Sequence, residues 1–307
     1  MPRLTKEQIA ARASGMGSTD IVEWCGLAPW EGAGPWRIYN AKTGLGPPSP
    51  NVADSPDGLR LCGYPSPSTA EQEWGHMQER IIGEWYCAAV QNFYSSAETT
   101  PHPDLDCVFA TLDGYTEDRT IEIKNVSGFM ARDWDVTDPD GVPHYVRAQV
   151  QLGMSCARRT QCDVVAALAG RPPHVWSIAY DERLAGMLVA EGVKAWRQIS
   201  ERTPPGLDGS DACREYLRVT YPRDVRKWLV PSVEEGSRLD QLGQLRAELA
   251  DKARQHTAKV KELDTSILAA LGDHSGYEGD GWKMTWKVGK GGVRRSRFTA
   301  TGGSDDE

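Results

Sequence analysis

The stretch Leu112-Asp-Gly-Tyr-Thr-Glu-Asp-Arg-Thr-Ile-Glu-Ile-Lys124 holds the residues best suited to chemistry. Asp113 sits at a Gly-containing bend. Beyond it, Glu122 and Lys124 fall two apart in a run of β-favouring residues, Thr120, Ile121 and Ile123. The two-residue alternation of a strand sends Glu122 and Lys124 to one face and both isoleucines to the other. Two carboxylates and an ammonium thereby converge. Carboxylate oxygens are the ligands Mg²⁺ prefers, and an ion so held turns bound water into a nucleophile while offsetting the charge of a phosphodiester. The neighbouring lysine suits positioning of that water or stabilisation of developing negative charge. An Asp-Gly turn leading into a strand with a solvated Glu/Lys face is also common in proteins without such chemistry, so the motif needs support from elsewhere in the chain.

Three further segments supply it. In Arg12-Ala-Ser-Gly-Met-Gly-Ser-Thr-Asp-Ile21, a Gly-rich bend precedes Ser18, Thr19 and Asp20 at a helix start that runs on through Val22 to Trp30. Free backbone N–H groups and hydroxyls there suit a phosphate, or serve as an ordinary helix cap. In Glu71 to Tyr86, Ile82 and Tyr86 recur at helical spacing, so Glu79 lies on a helix able to push one acid toward a pocket. Tyr145 to Met154 is an apolar-periodic helix with Gln149 and Gln151 embedded. An amide so placed can hold a strand-borne lysine or a phosphate oxygen, or satisfy a polar contact in the core.

Together these four segments resemble the YqaJ-type viral recombinase and lambda exonuclease family of the PD-(D/E)xK nuclease superfamily, over residues from about 10 to about 200, including a strand at 164–171, a strand at 176–182 and a closing helix that ends near Trp196. The resemblance implies an α/β fold of the α+β kind, with a central mixed β-sheet flanked by helices in a restriction-endonuclease-like core. It implies that Asp113 and Glu122 are the metal-binding acids and Lys124 the active-site lysine, with the Ile123 backbone carbonyl a further metal contact. Glu79 matches the helix-borne glutamate of the family, assisting the metal directly or through water, and Gln149 matches its glutamine. Arg12 falls where an arginine meets a terminal 5′-phosphate, and Thr19 where most relatives carry serine, so the hydroxyl role is shared between Ser18 and Thr19. The implied activity is Mg²⁺-dependent hydrolysis of double-stranded DNA from its 5′ ends, with Mn²⁺ as a substitute ion, leaving 3′ single strands for an annealing protein. A homo-oligomer, a ring-shaped trimer in lambda exonuclease, is also implied. The rival readings are a catalytically inactive or endonucleolytic DNA-binding protein on the same core, and a metal-dependent enzyme acting on a small phosphoester.

Composition is consistent with this assignment. A chain of 307 residues, 39% hydrophobic, can bury one substantial core with appendages. It has no apolar run of membrane-spanning length, and its first residues lack the apolar stretch of a signal peptide, so no membrane partner and a cytoplasmic location are expected. The 7 cysteines, at 25, 62, 87, 107, 156, 162 and 213, are scattered and odd in number. That pattern argues for free thiols and against a disulfide framework, and no close-spaced set remains to ligate an iron–sulfur cluster.

A net charge of −8 runs against DNA binding, since nonspecific affinity comes mostly from Lys and Arg. The average conceals local order. Between Trp282 and Phe298 stand Lys283, Lys287, Lys290, Arg294, Arg295 and Arg297 with no acid among them. Alternating residues around Gly289-Lys-Gly-Gly292 predict a basic, aromatic-bearing β-hairpin over 277–300, suited to clamp a DNA backbone or to pack its tryptophans on a neighbour.

The core is expected to span 1–232, with a Pro- and Gly-rich insertion at 31–69 and breaks at 134–143 and 203–209. From 236 to 272 the chain changes character. Leu239, Leu242, Leu249, Ala253, Val260, Leu263, Ile267 and Ala270 occupy heptad a/d positions, interrupted by Arg246 and His256. This predicts a helix of roughly 35 residues, about 50 Å long, either laid against its own chain or serving as an oligomer contact. Residues 301–307 form an acidic tail expected to be disordered.

Overall fold

The computed structural model describes residues 13–45, 70–90, 95–96 and 99–300, and divides into two compact units, Met1–Asp224 and Val225–Glu307. Arg12, most of the 31–69 segment, Cys62 and the acidic tail therefore lie outside the described residues.

In the first unit, β1 (Met16–Gly17), β4 (Leu105–Thr111) and β3 (Thr99–His102) form a three-stranded sheet in the order β1-β4-β3. A five-stranded sheet runs β2 (Ser95–Ser96), β5 (Gly114–Tyr115), β6 (Arg119–Val126), β7 (Gln161–Leu168), β8 (His174–Ala179). That sheet is mixed, because β6 and β7 run parallel while β5·β6 and β7·β8 are antiparallel. β7 is buried from Cys162 to Ala167, as expected for a central strand covered on both faces.

Among the described residues, six helices accompany the sheets: α1 (Ser18–Trp24), α2 (Pro35–Thr43), α3 (Ala70–Val90), α4 (His144–Ala157), α5 (Glu182–Ser200) and α6 (Asp211–Thr220). α4 contacts both sheets and is apolar on two sides. Ala148, Leu152 and Cys156, spaced by four, join the core built around Met16, Trp36 and Val108. Val146, Val150 and Met154, also spaced by four, join a second core under Val164 and Trp176. α3 covers the opposite face of the larger sheet, where Ile82 and Tyr86 pack with Ile121, Ile123 and Val165.

Three boundaries differ from the sequence expectation. Residues 35–43, inside the segment read as an insertion, form α2 and bury Trp36, Ile38 and Tyr39 in the main core. Pro35 takes the first helical position, where its missing N–H costs nothing, and Gly44 closes the helix in the left-handed region at φ 75°. The helix beginning at Ser18 stops at Trp24 because Gly26 turns the chain at φ 70°. The core unit ends at Asp224, eight residues before 232, since the chain beyond packs with the C-terminal segment.

The second unit contains α7 (Val233–Leu271), started by a reciprocal cap in which Ser232 Oγ accepts from Glu235 N–H and the Glu235 carboxylate accepts from Ser232 N–H. A three-stranded antiparallel sheet follows, ordered β11 (Arg294–Ala300), β10 (Trp282–Val288), β9 (Gly276–Gly279), so the expected hairpin gains a third strand. The heptad leucines Leu239, Leu242, Leu249 and Leu263 are exposed along α7.

One polar cluster ties the first unit together. Asp163, buried in the middle of the larger sheet, accepts from Tyr86 Oη at 2.6 Å, Ser177 Oγ at 2.6 Å and Arg119 Nη1 at 3.0 Å. The Tyr86 hydroxyl is driven to a higher pKa by burial and by this bond to Asp163. The bonds join α3, β6, β7 and β8. Replacing Asp163 with Ala should remove the acceptor shared by Tyr86, Ser177 and Arg119, leaving Arg119 its pair with Asp118, and cost about 1–3 kcal/mol, read as a drop in melting temperature. Tyr86→Phe, which removes one bond, should cost only about 1 kcal/mol. Equal melting temperatures for wild type and Asp163→Ala would refute this role.

Candidate active site

The chemistry-bearing residues meet through strand register. Gly114 stands opposite Ile121 and Tyr115 opposite Thr120, so the next pair outward is Asp113 and Glu122. Thr116 and Arg119 close the connecting turn, with Thr116 N–H donating to the Arg119 carbonyl at 2.9 Å. Ile123 N–H donates to Asp113 Oδ2 at 2.7 Å, which fixes that carboxylate against the β6 backbone. Ile121 and Ile123 point to the α3 side, while Glu122 and Lys124 share the other face and form an ion pair. Lys124 Nζ also donates to Gln149 Oε1, 3.2 Å away on α4. Two acids separated by nine positions and the lysine two residues on thus form one connected group.

Its electrostatics are those of crowded charge. Burial raises the Asp113 pKa well above the ordinary carboxylate value, and repulsion from Glu122 adds to this. Lys124 and the Ile123 N–H pull the other way, and Glu79 adds a smaller repulsion. For Lys124, burial disfavours the ammonium, but Glu122 and Asp113 outweigh it and the pKa rises above that of a free lysine. Lys124 therefore remains a cation throughout the neutral range.

Of the other expected residues, Ser18 lines a water-sized void shared with Glu122, Gln149 and Thr120, whereas Thr19 does not line it. The cap of α1 is less free than the sequence suggested, because Asp20 accepts from Gly17 N–H at 3.0 Å and pairs with Lys42 at 2.7 Å. Gly15 sits against the Cys107 carbonyl so closely that a Cβ would come within 2.6 Å, which lets β1 and the Ser18 turn lie beside β4. Glu79 reaches Asp113 through its field, on the same helix face as Ile82 and Tyr86. Gln151 has a different task from Gln149: it donates to the Ala179 carbonyl and accepts from Asp181 N–H, both at 2.8 Å. Tyr145 was not singled out from sequence. It lies one helical turn before Gln149, burial raises its pKa while the nearby Lys124 ammonium pulls it back, and Trp30 packs edge-on against its ring at 6.1 Å. The i, i+4 spacing from Gln149 was the available signal.

Among the described residues no three His, Cys, Asp or Glu side chains cluster as a cage made of side chains alone would require. The donor set nonetheless fits a hard divalent cation. Mg²⁺ is held through one or two carboxylates completed by water and substrate phosphate oxygens, and here two oxygen-donor acids repel each other in a half-buried site.

A five-stranded mixed sheet flanked by helices, with Glu122 and Lys124 on its middle strand, defines the class of fold, and the comparisons agree on that fold. The YqaJ-like viral recombinase domain matches residues 8–162, so the chain belongs to that family. It is 23% identical over 290 residues to the Bacillus subtilis protein called YqaJ, covering 92% of this chain and 82% of that one. Its fold is similar to that of an alkaline exonuclease from Laribacter hongkongensis, with a TM-score of 0.50 and 17% identity over 65% of this chain and 94% of that one. The structure of the same exonuclease in complex with dAMP gives a TM-score of 0.51 and 17% identity over 71% of this chain and 98% of that one.

The crowding of acids makes a prediction that needs no catalysis. Saturating Mg²⁺ should stabilise the protein by about 2.7 kcal/mol at a hundredfold excess over Kd, relieving the Asp113–Glu122 repulsion and raising the melting temperature. Asp113→Asn should be as stable as wild type or more so without metal, and should lose most of the Mg²⁺ response. An equal Mg²⁺ response in both proteins, followed by differential scanning fluorimetry, would count against a shared ion pocket.

Proposed function

We propose that the protein is a divalent-metal-dependent deoxyribonuclease that degrades duplex DNA from its 5′ ends and leaves 3′ single strands for an annealing protein. The observation that carries this reading is the bond from the Ile123 N–H that holds Asp113 beside Glu122, with Lys124 bound to both Glu122 and Gln149. The acid side chains, with the Ile123 carbonyl beside them, are the groups that would hold Mg²⁺, or Mn²⁺ in its place. Bound there, the ion would lower the pKa of water and neutralise charge on the scissile phosphate.

The chain's own residues supply the rest. Asp113 is held rigid by the Ile123 N–H, so its free oxygen has a fixed aim. Lys124, bound to Glu122 and Gln149, is placed to donate to a phosphate oxygen or to orient the attacking water. Gln149 restrains the lysine, and Ser18, near Glu122 and Gln149, is the hydroxyl best suited to meet the phosphate. Glu79 contributes through its field or through water. Arg12, by resemblance, meets a terminal 5′-phosphate. Membership of the family likewise suggests a homo-oligomer, taken here to be a trimer. Light scattering should then give a multiple of the 33.8 kDa chain mass, and a result equal to one chain would remove the ring.

Linear duplexes labelled at either end, with 5′-phosphate or 5′-hydroxyl termini, test the activity. Label should be released from the 5′ end first and only with the divalent ion. Asp113→Asn and Glu122→Gln should each lower the rate by at least about 10²-fold while retaining the fold. Arg12→Ala should lose activity mainly on phosphorylated ends. Cleavage that survives chelation, or either acid variant with wild-type rates, would overturn the proposal.

A further inference from the structure

The C-terminal sheet sorts its side chains by face. Across β10 and β11, Lys283, Thr285 and Lys287 stand opposite Thr299, Arg297 and Arg295, and across β9 Lys283 stands opposite Glu278. The alternate positions Trp282, Met284 and Trp286 stand opposite Ala300, Phe298 and Ser296. Strand alternation therefore places Lys283, Lys287, Arg295 and Arg297 on one face and the aromatic residues on the other. The contacts agree. Trp282 stacks on Phe298 with ring centroids 5.8 Å apart, Met284 is buried, and Lys283 Nζ meets Glu278 at 2.7 Å.

Arg294 leaves the cationic set. Its guanidinium lies 3.7 Å from the centre of the Trp286 ring and donates to the Gly272 carbonyl at 2.8 Å and the Trp286 carbonyl at 3.0 Å. It holds the aromatic face to the end of α7, which corrects its place among the DNA-contacting residues expected from sequence. Lys290 sits in the turn, outside the ladder.

The other four cations are left crowded. Lys287 and Arg295 are directly opposed like charges, an arrangement that weakens a sheet. Among the described residues, Lys283 alone of the four has an acidic partner. Same-face residues two apart on a strand are roughly 7 Å apart, so the face presents closely repeated positive charge. A ligand with regularly repeated negative charge would relieve that repulsion, and duplex DNA carries one charge per about 1.7 Å of axis.

We infer that the Lys283, Lys287, Arg295 and Arg297 face binds the phosphate backbone of duplex DNA without reading its sequence. The inference rests on the nuclease reading only for the choice of ligand. The test is fluorescence anisotropy of the full-length protein with a labelled blunt duplex across a salt series, in chelator so that no cleavage occurs. Lys283→Gln, Lys287→Gln, Arg295→Gln and Arg297→Gln combined should weaken binding at least tenfold at low salt. The slope of log Kd against log salt should become shallower by about 3 to 4, near 0.9 for each phosphate contact removed. Glu278→Gln, which removes the acid beside Lys283, should bind as tightly as wild type or tighter. If the combined variant fails to fold by circular dichroism, Arg295→Gln and Arg297→Gln alone should each reduce the slope by about 1. Unchanged slopes overturn the inference, as does binding of poly-glutamate as tight as that of the duplex, which would indicate an acidic protein partner. A core that never cleaves leaves this readout intact, and loss of this face leaves the Mg²⁺-induced melting shift of the core intact.

Discussion

The site depends on one constraint: the register of the short hairpin between β5 and β6. Pairing Gly114 with Ile121 brings Asp113 up against Glu122, and a slip of one residue would turn every side chain of β6 to the opposite face. Glu122 and Lys124 would then enter the apolar layer under α3, and Ile121 and Ile123 would leave it. The buried isoleucines therefore enforce the position of the charged residues. The same register sets the Ile123 N–H on Asp113, so the backbone that builds the sheet also aims the carboxylate.

The packing around the hairpin restricts its movement from both sides. On one side α4, apolar toward two separate cores, leaves Gln149 as a polar side chain directed at Lys124. On the other, Tyr86 and Asp163 fasten α3 to the central strand, which sets the height of Glu79 along that helix. Charges that repel are thus held close by apolar packing and neutral hydrogen bonds, an arrangement that costs stability and readies the site for a cation.

Much of this was legible in the residues themselves. Strand alternation alone put Glu122 and Lys124 on one face, while Asp113 joins them through the β5–β6 hairpin, and the α3 and α4 helices followed from the spacing of Ile82 with Tyr86 and the apolar period of Tyr145 to Met154. The shared fold, similar to an alkaline exonuclease, was reached through the order of these segments. Other features depended on contacts that a linear reading does not contain. α2 was hidden by surrounding Gly and Pro, although Pro35 and Gly44 sit at the helix positions those residues favour. Gln149 and Gln151 look equivalent in sequence, but a rotation of about 200° around the helix gives one to the lysine and the other to the carbonyl at the end of β8. Arg294 counted as one more cation until Trp286 and the carbonyls at the end of α7 claimed it.

Net charge was a poor guide for the same reason. The excess of acid is a whole-chain sum, while the C-terminal sheet gathers cations on a single face and the core gathers acids at a single strand edge. The shared ion pocket is tested most directly by a crystal of the protein grown with Mn²⁺ and measured for anomalous scattering. A peak within ligand distance of both Asp113 and Glu122, and of the Ile123 carbonyl, is the expected result. A peak elsewhere, or carboxylates that turn away from one another with Mn²⁺ present, would contradict it.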